Sequence, residues 1–244
     1  MPIILNDLEA RTAIAVAHYW RTLAEQSSKQ KTGDADRGTR AAVTGGKQMD
    51  GFCHLVQQVL IDNGMPSVNI YTSKKLELPG YFRPTKRWDM IVVYKGQLVA
   101  ALEFKSQVGP SFGNNFNNRS EEAIGTAQDL WTAFREGAFV ASQRPFLGWV
   151  MLLEDCPRVR APVAVDEPHF PVFVDFYESS YGKRYELLLR RLVAERLYDS
   201  AAFLMATADG GPAGVYTQPA ADLTIRHLLA GLAGHVGGII AGEP

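Results

Sequence analysis

Several features that define common protein classes are scarce in this chain. It carries only two cysteines, Cys53 and Cys156, whose spacing matches neither a metal site nor a disulfide framework, so we expect reduced thiols and a cytoplasmic location. The N-terminus has no basic segment ahead of an apolar one, and no apolar run approaches the ~20 residues of a membrane span. The sequence therefore predicts neither a signal peptide nor a membrane partner.

A strong charge of either sign and the common nucleotide motifs are also missing. The formal net charge of −1 excludes a generally basic nucleic-acid binder, although it permits a local basic cleft. The five histidines are dispersed and lack metal-ligand spacing. Neither a Gly-x-x-x-x-Gly-Lys loop nor a Gly-x-Ser-x-Gly elbow occurs, which disfavours an NTPase and an α/β hydrolase.

The stretch 87–105 carries the most informative pattern. Two nearly continuous apolar runs flank a Lys-Gly turn signal, which predicts a β-hairpin whose strands are covered on both faces. Three charged residues interrupt these runs: Asp89, Glu103 and Lys105. A buried charge is costly unless it is paired or bound to a metal. The alternative is a solvated Glu–Lys pair at the end of a strand.

The register of this hairpin decides whether the two acids meet. A two-residue turn pairs Tyr94 with Gln97 and places Asp89 on the opposite face of the sheet from Glu103. A three-residue loop pairs Tyr94 with Leu98 and brings Asp89 directly across from Glu103, with Cβ atoms ~4.5–5.5 Å apart. Splaying of the strands at this end has the same effect.

Two carboxylates that meet in this way can hold one divalent cation, and ligands that are all oxygen point to Mg²⁺ rather than zinc. Lys105 beside the cation can orient an attacking water or stabilise a pentavalent phosphate. Asp50 lies in the first turn of a helix predicted over 48–62. It is either a favourable partner of the helix dipole or a third acid near the metal.

Two flanking segments have the composition of a nucleic-acid interface. Residues 74–87 carry five basic residues against one acid, with two aromatics, and lead directly into Asp89. Residues 106–118 are rich in asparagine, which contacts adenine edges but also populates turns and caps. We expect this second segment to be irregular, with Asn118 opening a helix that ends at Gly137.

The chain is predicted to form a single domain over residues 1–244, with no linker or repeat. Its N-terminal part, 1–47, is a helix followed by a mobile polar loop at 27–47, and its core spans 48–155. The C-terminal part, 156–244, is predicted to be helical and includes a long helix over 181–206. The core order αβββαβ predicts an α/β fold with a central mixed β-sheet flanked by helices.

This order, with an aspartate on one hairpin strand and Glu-x-Lys on the other, resembles the PD-(D/E)xK nuclease core. More specifically, the segments 78–89, 103–106 and 109–119 resemble the XhoI family of type II restriction endonucleases, and the similarity extends over about residues 45–205. The asparagine-rich run is the most specific part of it. Trp88 stands where the superfamily pattern has proline.

The resemblance implies a homodimer that cuts both strands of a palindrome in double-stranded DNA, CTCGAG in this family, with Mg²⁺ as cofactor. It assigns Asp89 and Glu103 as metal ligands and Lys105 as the catalytic lysine, and the Phe104 carbonyl is a further candidate ligand. Candidate DNA contacts are Tyr81, Arg83, Lys86, Arg87, Asn114, Asn115, Asn117, Asn118 and Arg119. Rival interpretations are a structure-specific nuclease with the same core, a non-catalytic DNA-binding protein and a small-molecule α/β enzyme.

Overall fold

The computed structural model describes residues 2–31, 47–140 and 142–242. The helices of this described part are α1 (Leu8–Lys31), α2 (Asp50–Asp62), α3 (Phe112–Arg135), α4 (Pro157–Arg160), α5 (Tyr181–Ala194) and α6 (Ile225–Ala241). Its strands are β1 (Ile70–Tyr71), β2 (Glu77–Pro79), β3 (Thr85–Arg87), β4 (Met90–Tyr94), β5 (Gln97–Gln107), β6 (Phe146–Glu154) and β7 (Ser200–Ala206). Across these residues, no helix combines the length and apolarity needed to cross a membrane.

A mixed five-stranded sheet in the order β1-β4-β5-β6-β7 forms the centre of the molecule. The β4–β5 hairpin is antiparallel, whereas β6 runs parallel to β5, and β7 runs parallel to β6. The parallel pair β5–β6 is joined through α3, which is the crossover that the sequence predicts. The predicted α/β fold with a central mixed sheet is therefore confirmed.

Helices cover both faces of this sheet, because both faces are apolar. One core contains residues of α1, α2 and α6 packed against alternate residues of the strands, such as Met90 and Val150. The opposite core contains residues of α3 and α5 packed against the intervening ones, such as Ile91 and Trp149. Glu103 and Lys105 have the alternation of the second core, so they point towards the α3 and α5 side.

A β-bulge sets the register of the β4–β5 hairpin. Tyr94 pairs with Gln97, as a two-residue turn requires, but Val92 pairs with Ala100, so the register shifts by one residue. Val99 is the extra residue, and it is fully buried. Beyond the bulge, Met90 pairs with Leu102, which is the register that a three-residue loop would give.

The structure corrects three boundaries. Helix α3 begins at Phe112 rather than near Asn118, so the asparagine run is helical and not irregular. The helix predicted over 181–206 ends at Ala194, and its last part is strand β7. The C-terminal part is therefore not wholly helical, since it supplies an edge strand of the central sheet. The predicted loop at 27–47 is helical over 27–31, residues 32–46 lie outside the described residues, and Lys47 begins a short 3-10 helix, Lys47–Met49.

Candidate active site

The bulge brings Asp89 and Glu103 to the same end and the same face of the hairpin. Met90 pairs with Leu102, and one step further along the same register Asp89 lies opposite Glu103. Asp89 itself precedes the first residue of β4, and its Oδ2 accepts a hydrogen bond of 2.8 Å from the backbone N–H of Phe104. The aspartate is thus fixed against the strand that carries Glu103.

Glu103 is a buried carboxylate, with 1% of its surface exposed. Its Oε1 forms an ion pair with Lys86, and its Oε2 lies against the Lys105 ammonium but accepts no hydrogen bond of good geometry. Burial raises the pKa of Glu103 to about 6, because the loss of hydration outweighs the attraction of Lys105. A further positive charge beside this carboxylate would therefore favour its ionised form.

Lys105 lies among three carboxylates. Its Nζ is 3.3 Å from Asp89 Oδ2 and 3.2 Å from Glu122 Oε1, and it forms an ion pair with Glu103. Burial lowers the pKa of Lys105, but the surrounding acids, led by Glu103, outweigh this effect and raise it above the ordinary value. The lysine is therefore a permanent cation here and not a proton acceptor at neutral pH.

A cavity of about 600 Å³ opens onto this group. Asp89, Phe104 and Lys105 form one part of its lining, and Glu103 is buried behind them. Further lining residues that the sequence predicts as site residues are Asp50, Arg87 and Arg119. The structure thus brings together residues from α2, β3, the β4–β5 hairpin and α3.

The basic segment before Asp89 forms a second antiparallel hairpin, β2 with β3. Lys86 reaches from it to Glu103, with its ammonium also 4.7 Å from the centre of the Trp88 ring. Arg87 pairs with Glu77 at 2.8 Å and remains more than half exposed. Each of these predicted phosphate contacts therefore already has an acidic partner within the chain.

The tip of this second hairpin, residues 80–84, is attached to α3 through Asp129. The backbone N–H groups of Tyr81 and Phe82 donate to Asp129 Oδ1 at 2.7 and 2.9 Å, and Arg83 Nε donates to Oδ2 at 2.7 Å. The side chains of Tyr81 and Phe82 stay exposed. Three hydrogen bonds to one buried carboxylate fix the tip beside the site.

The asparagine run occupies the first two turns of α3. Asn114, Asn117 and Asn118 are exposed and share one helix face, because they are three and four residues apart. Asn115 and Arg119 share an adjacent face, and Arg119 reaches the cavity. The asparagines are therefore presented on a rigid helix next to the cavity-lining arginine.

The carboxylates of Asp89 and Glu103 are the type of ligand that a hard divalent cation prefers. Among the described residues, no group of three or more His, Cys, Asp or Glu side chains is arranged to hold a metal ion. Asp89 and Glu103 nevertheless present carboxylate oxygens on one face, and a cation there would compensate the buried charge of Glu103, which Lys86 and Lys105 balance in this structure. The Phe104 carbonyl as a further ligand stays a prediction.

Comparison with known proteins decides the family. The family model of restriction endonuclease XhoI matches residues 28–218. The chain belongs to the XhoI restriction endonuclease family. Type II restriction enzymes that are similar to it are BstVI from Geobacillus stearothermophilus (53% identity, 86% of this chain and 95% of the relative), XhoI from Xanthomonas vasicola (45%, 79% and 78%) and AbrI from Azospirillum brasilense (52%, 70% and 77%). No solved structure matches the chain.

Membership of the XhoI family confirms the prediction of a type II restriction endonuclease, a class that generally uses divalent metal ions. Sequence reasoning missed two residues that contact the predicted site residues, Glu122 and Asp129. Both lie on α3 and act on residues distant in sequence, Lys105 and the 80–84 tip. A local signal existed only for Glu122, which is three residues after Arg119 and forms an ion pair with it.

Proposed function

We propose that this enzyme hydrolyses a DNA phosphodiester bond in each strand of CTCGAG, with Mg²⁺ as cofactor and as a homodimer. The observation that carries the proposal is the convergence of Asp89, Glu103 and Lys105, of which Asp89 and Lys105 line one cavity and Glu103 is buried behind them. The base sequence is the one expected from the family resemblance. Its two-fold symmetry requires two active sites related by the same symmetry, which a dimer supplies.

Asp89 and Glu103 are proposed to hold Mg²⁺, with the Phe104 carbonyl as a further ligand and Asp50 as an accessory acid. The cation, when bound, supplies a Lewis acid for the phosphate and lowers the pKa of a coordinated water. Lys105 is proposed to orient the attacking water and to stabilise negative charge on the phosphate oxygens. Of the three acids that contact this lysine, Glu122 is not a proposed metal ligand, and its Oε1 lies 3.2 Å from the Lys105 ammonium.

The DNA contacts are proposed to lie along the rim of the cavity. Arg87 and Arg119 line it and can approach a phosphate, whereas Arg83 lines a neighbouring pocket together with Glu122. Tyr81 is exposed on the same hairpin tip as Arg83. Lys86 forms an ion pair with Glu103, so it must leave that carboxylate before it can contact a phosphate. The exposed asparagines Asn114, Asn117 and Asn118, with Asn115, are proposed to contact base edges in a groove.

Two plasmids test this proposal, one with a single CTCGAG and one with a single base pair of that site changed. We expect linear DNA from the first plasmid with Mg²⁺ and none with EDTA, and ends that map to CTCGAG. Two chains per site are expected from the stoichiometry of binding to a short duplex in EDTA. Sequence-independent nicks would support a structure-specific nuclease, and cleavage in EDTA would contradict the metal-dependent mechanism.

A further inference from the structure

The surroundings of Lys105 raise a problem that the proposed function must solve. Its ammonium contacts Asp89 Oδ2 and Glu103 Oε2, which belong to the two carboxylates proposed to hold the cation. An ammonium and a divalent cation repel each other strongly at such short range in a buried site. They therefore compete for the same oxygens, and the lysine needs another acidic partner when the metal binds.

Glu122 lies where it can be that acidic partner of Lys105. Its Oε1 is 3.2 Å from Lys105 Nζ, and it approaches from α3 rather than from the hairpin. Its Oε2 forms an ion pair with Arg119 one turn earlier on the same helix, so the carboxylate is held in place independently of the lysine. It is also more accessible to solvent than Glu103, with a third of its side chain exposed.

We infer that Glu122 is a positioning residue that retains the Lys105 ammonium when a divalent cation occupies Asp89 and Glu103. This inference rests on the proposed function, since it presupposes that the two acids bind the metal. Glu122 thus has two roles in this inference. It keeps the lysine near the phosphate for catalysis, and it reduces the competition between the lysine and the metal.

The test measures Mn²⁺ binding by electron paramagnetic resonance without DNA, together with the kinetics of cleavage. In Glu122→Gln the freed ammonium competes more strongly, so we expect the Kd for Mn²⁺ to rise about tenfold, as for a directly coupled pair. We expect kcat to fall, because the lysine is no longer held beside the phosphate. Glu121→Gln is the matched control, because it removes the same charge from an exposed neighbouring position and should change neither quantity.

The Lys105→Ala background separates positioning from a direct effect on the metal. If Glu122 acts through the lysine, adding Glu122→Gln to Lys105→Ala should change the Kd for Mn²⁺ by no more than about twofold. An equally large increase in both backgrounds would overturn the inference, because it would show that Glu122 acts on the metal itself. Unchanged Mn²⁺ binding and kcat in Glu122→Gln would overturn it as well.

Two further measurements keep the outcome clear. Glu122→Asp retains the charge with a shorter side chain, so we expect its Kd for Mn²⁺ to lie between those of wild type and Glu122→Gln. A Kd equal to that of Glu122→Gln would contradict retention of the ammonium by charge. Absence of Mn²⁺ binding in wild type would refute the proposed metal site and the inference together, whereas normal binding with an unaffected Glu122→Gln refutes the inference alone.

Discussion

Replacing Asp129 by alanine should detach the 80–84 tip from α3. The substitution removes the acceptors of two backbone N–H groups and of Arg83 Nε. A hydrogen bond to a charged group contributes about 1.5–3 kcal/mol. Solvent reduces the loss both for the Arg83 contact and for the two backbone N–H groups. Arg83 is 43% exposed, so its pair contributes at most about 1 kcal/mol. The amides of the exposed tip regain water when the carboxylate is gone. The expected cost is therefore about 2–3 kcal/mol for holding the tip.

The measurement is amide hydrogen exchange at Tyr81 and Phe82, because the loss is local. A cost of about 2–3 kcal/mol corresponds to exchange that is roughly 30–150 times faster at these two amides. Asp129→Asn retains an oxygen for both N–H groups and loses mainly the Arg83 contact, so about 1 kcal/mol is expected. Glu136→Ala, which removes an exposed carboxylate just beyond the end of the same helix, should leave both amides unchanged.

The same variant tests whether the tip contributes to DNA binding. With the tip released, Tyr81 and Arg83 are no longer held against α3 near Glu122, so the Kd for the CTCGAG duplex in EDTA should rise severalfold in Asp129→Ala and less in Asp129→Asn. Exchange at Tyr81 and Phe82 within about twofold of wild type would refute the argument that Asp129 holds the tip. Faster exchange with unchanged DNA affinity would refute the role of the tip in binding.

Further predictions concern pH, the lysine, the metal and the asparagines. Burial raises the pKa of Asp129, but hydrogen bonds from Phe82, Arg83 and Tyr81 outweigh this effect and leave the pKa below its ordinary value. The ionised carboxylate therefore stabilises the folded protein above about pH 4, and this stabilisation is lost as the pH falls. In urea titrations the stability difference between wild type and Asp129→Asn should accordingly persist above about pH 4 and shrink at lower pH. Lys105→Ala should abolish cleavage while duplex affinity in EDTA stays within about threefold, as charge-assisted positioning acts on the reaction; retained cleavage would remove Lys105 from the mechanism. Mg²⁺ at a hundred times its Kd should raise the free energy of unfolding by about 2.7 kcal/mol in wild type and not in Asp89→Ala. Asn114→Ala with Asn117→Ala should change the stability of the exposed helix face by under about 0.5 kcal/mol yet reduce discrimination against a changed base pair by about 1–3 kcal/mol; unchanged discrimination would exclude base contacts by these residues.

Much of the fold follows from local patterns in the sequence. The apolar hairpin, the helix over 50–62 and the parallel crossover all occur in the predicted order, although the crossover helix begins six residues earlier than predicted. Strand β7 was missed because the run after Ser200 consists of alanine, leucine, methionine and phenylalanine. A short apolar run of this kind has no period that separates a buried strand from a helix. Residues 195–199, in which Arg196 has a left-handed conformation, separate helix α5 from strand β7.

The asparagine run shows how packing overrides local preference. Asparagine favours turns and caps over helix interiors, so an irregular segment was the expectation. In the structure Phe112 and Phe116 lie one turn apart, and their rings contact Tyr181 and Tyr185 of α5. These contacts bury one side of the first two turns and leave the asparagines on the other. The i, i+4 spacing of the two phenylalanines was the signal in the sequence for this helix.

The candidate active site depends on a β-bulge that neither the spacing of the acids nor the type of turn reveals. Lys95 and Gly96 form the two-residue turn, and that turn alone would separate Asp89 from Glu103 on opposite faces. The bulge at Val99 reverses this outcome, because one extra residue returns the two acids to the same face. Val99 is a buried valine among buried aliphatic neighbours, so nothing in its type distinguishes it from the residues around it. The convergence on which the proposed chemistry depends thus follows from the bulge, and the spacing of the acids in the sequence becomes informative only when the register of the hairpin is known.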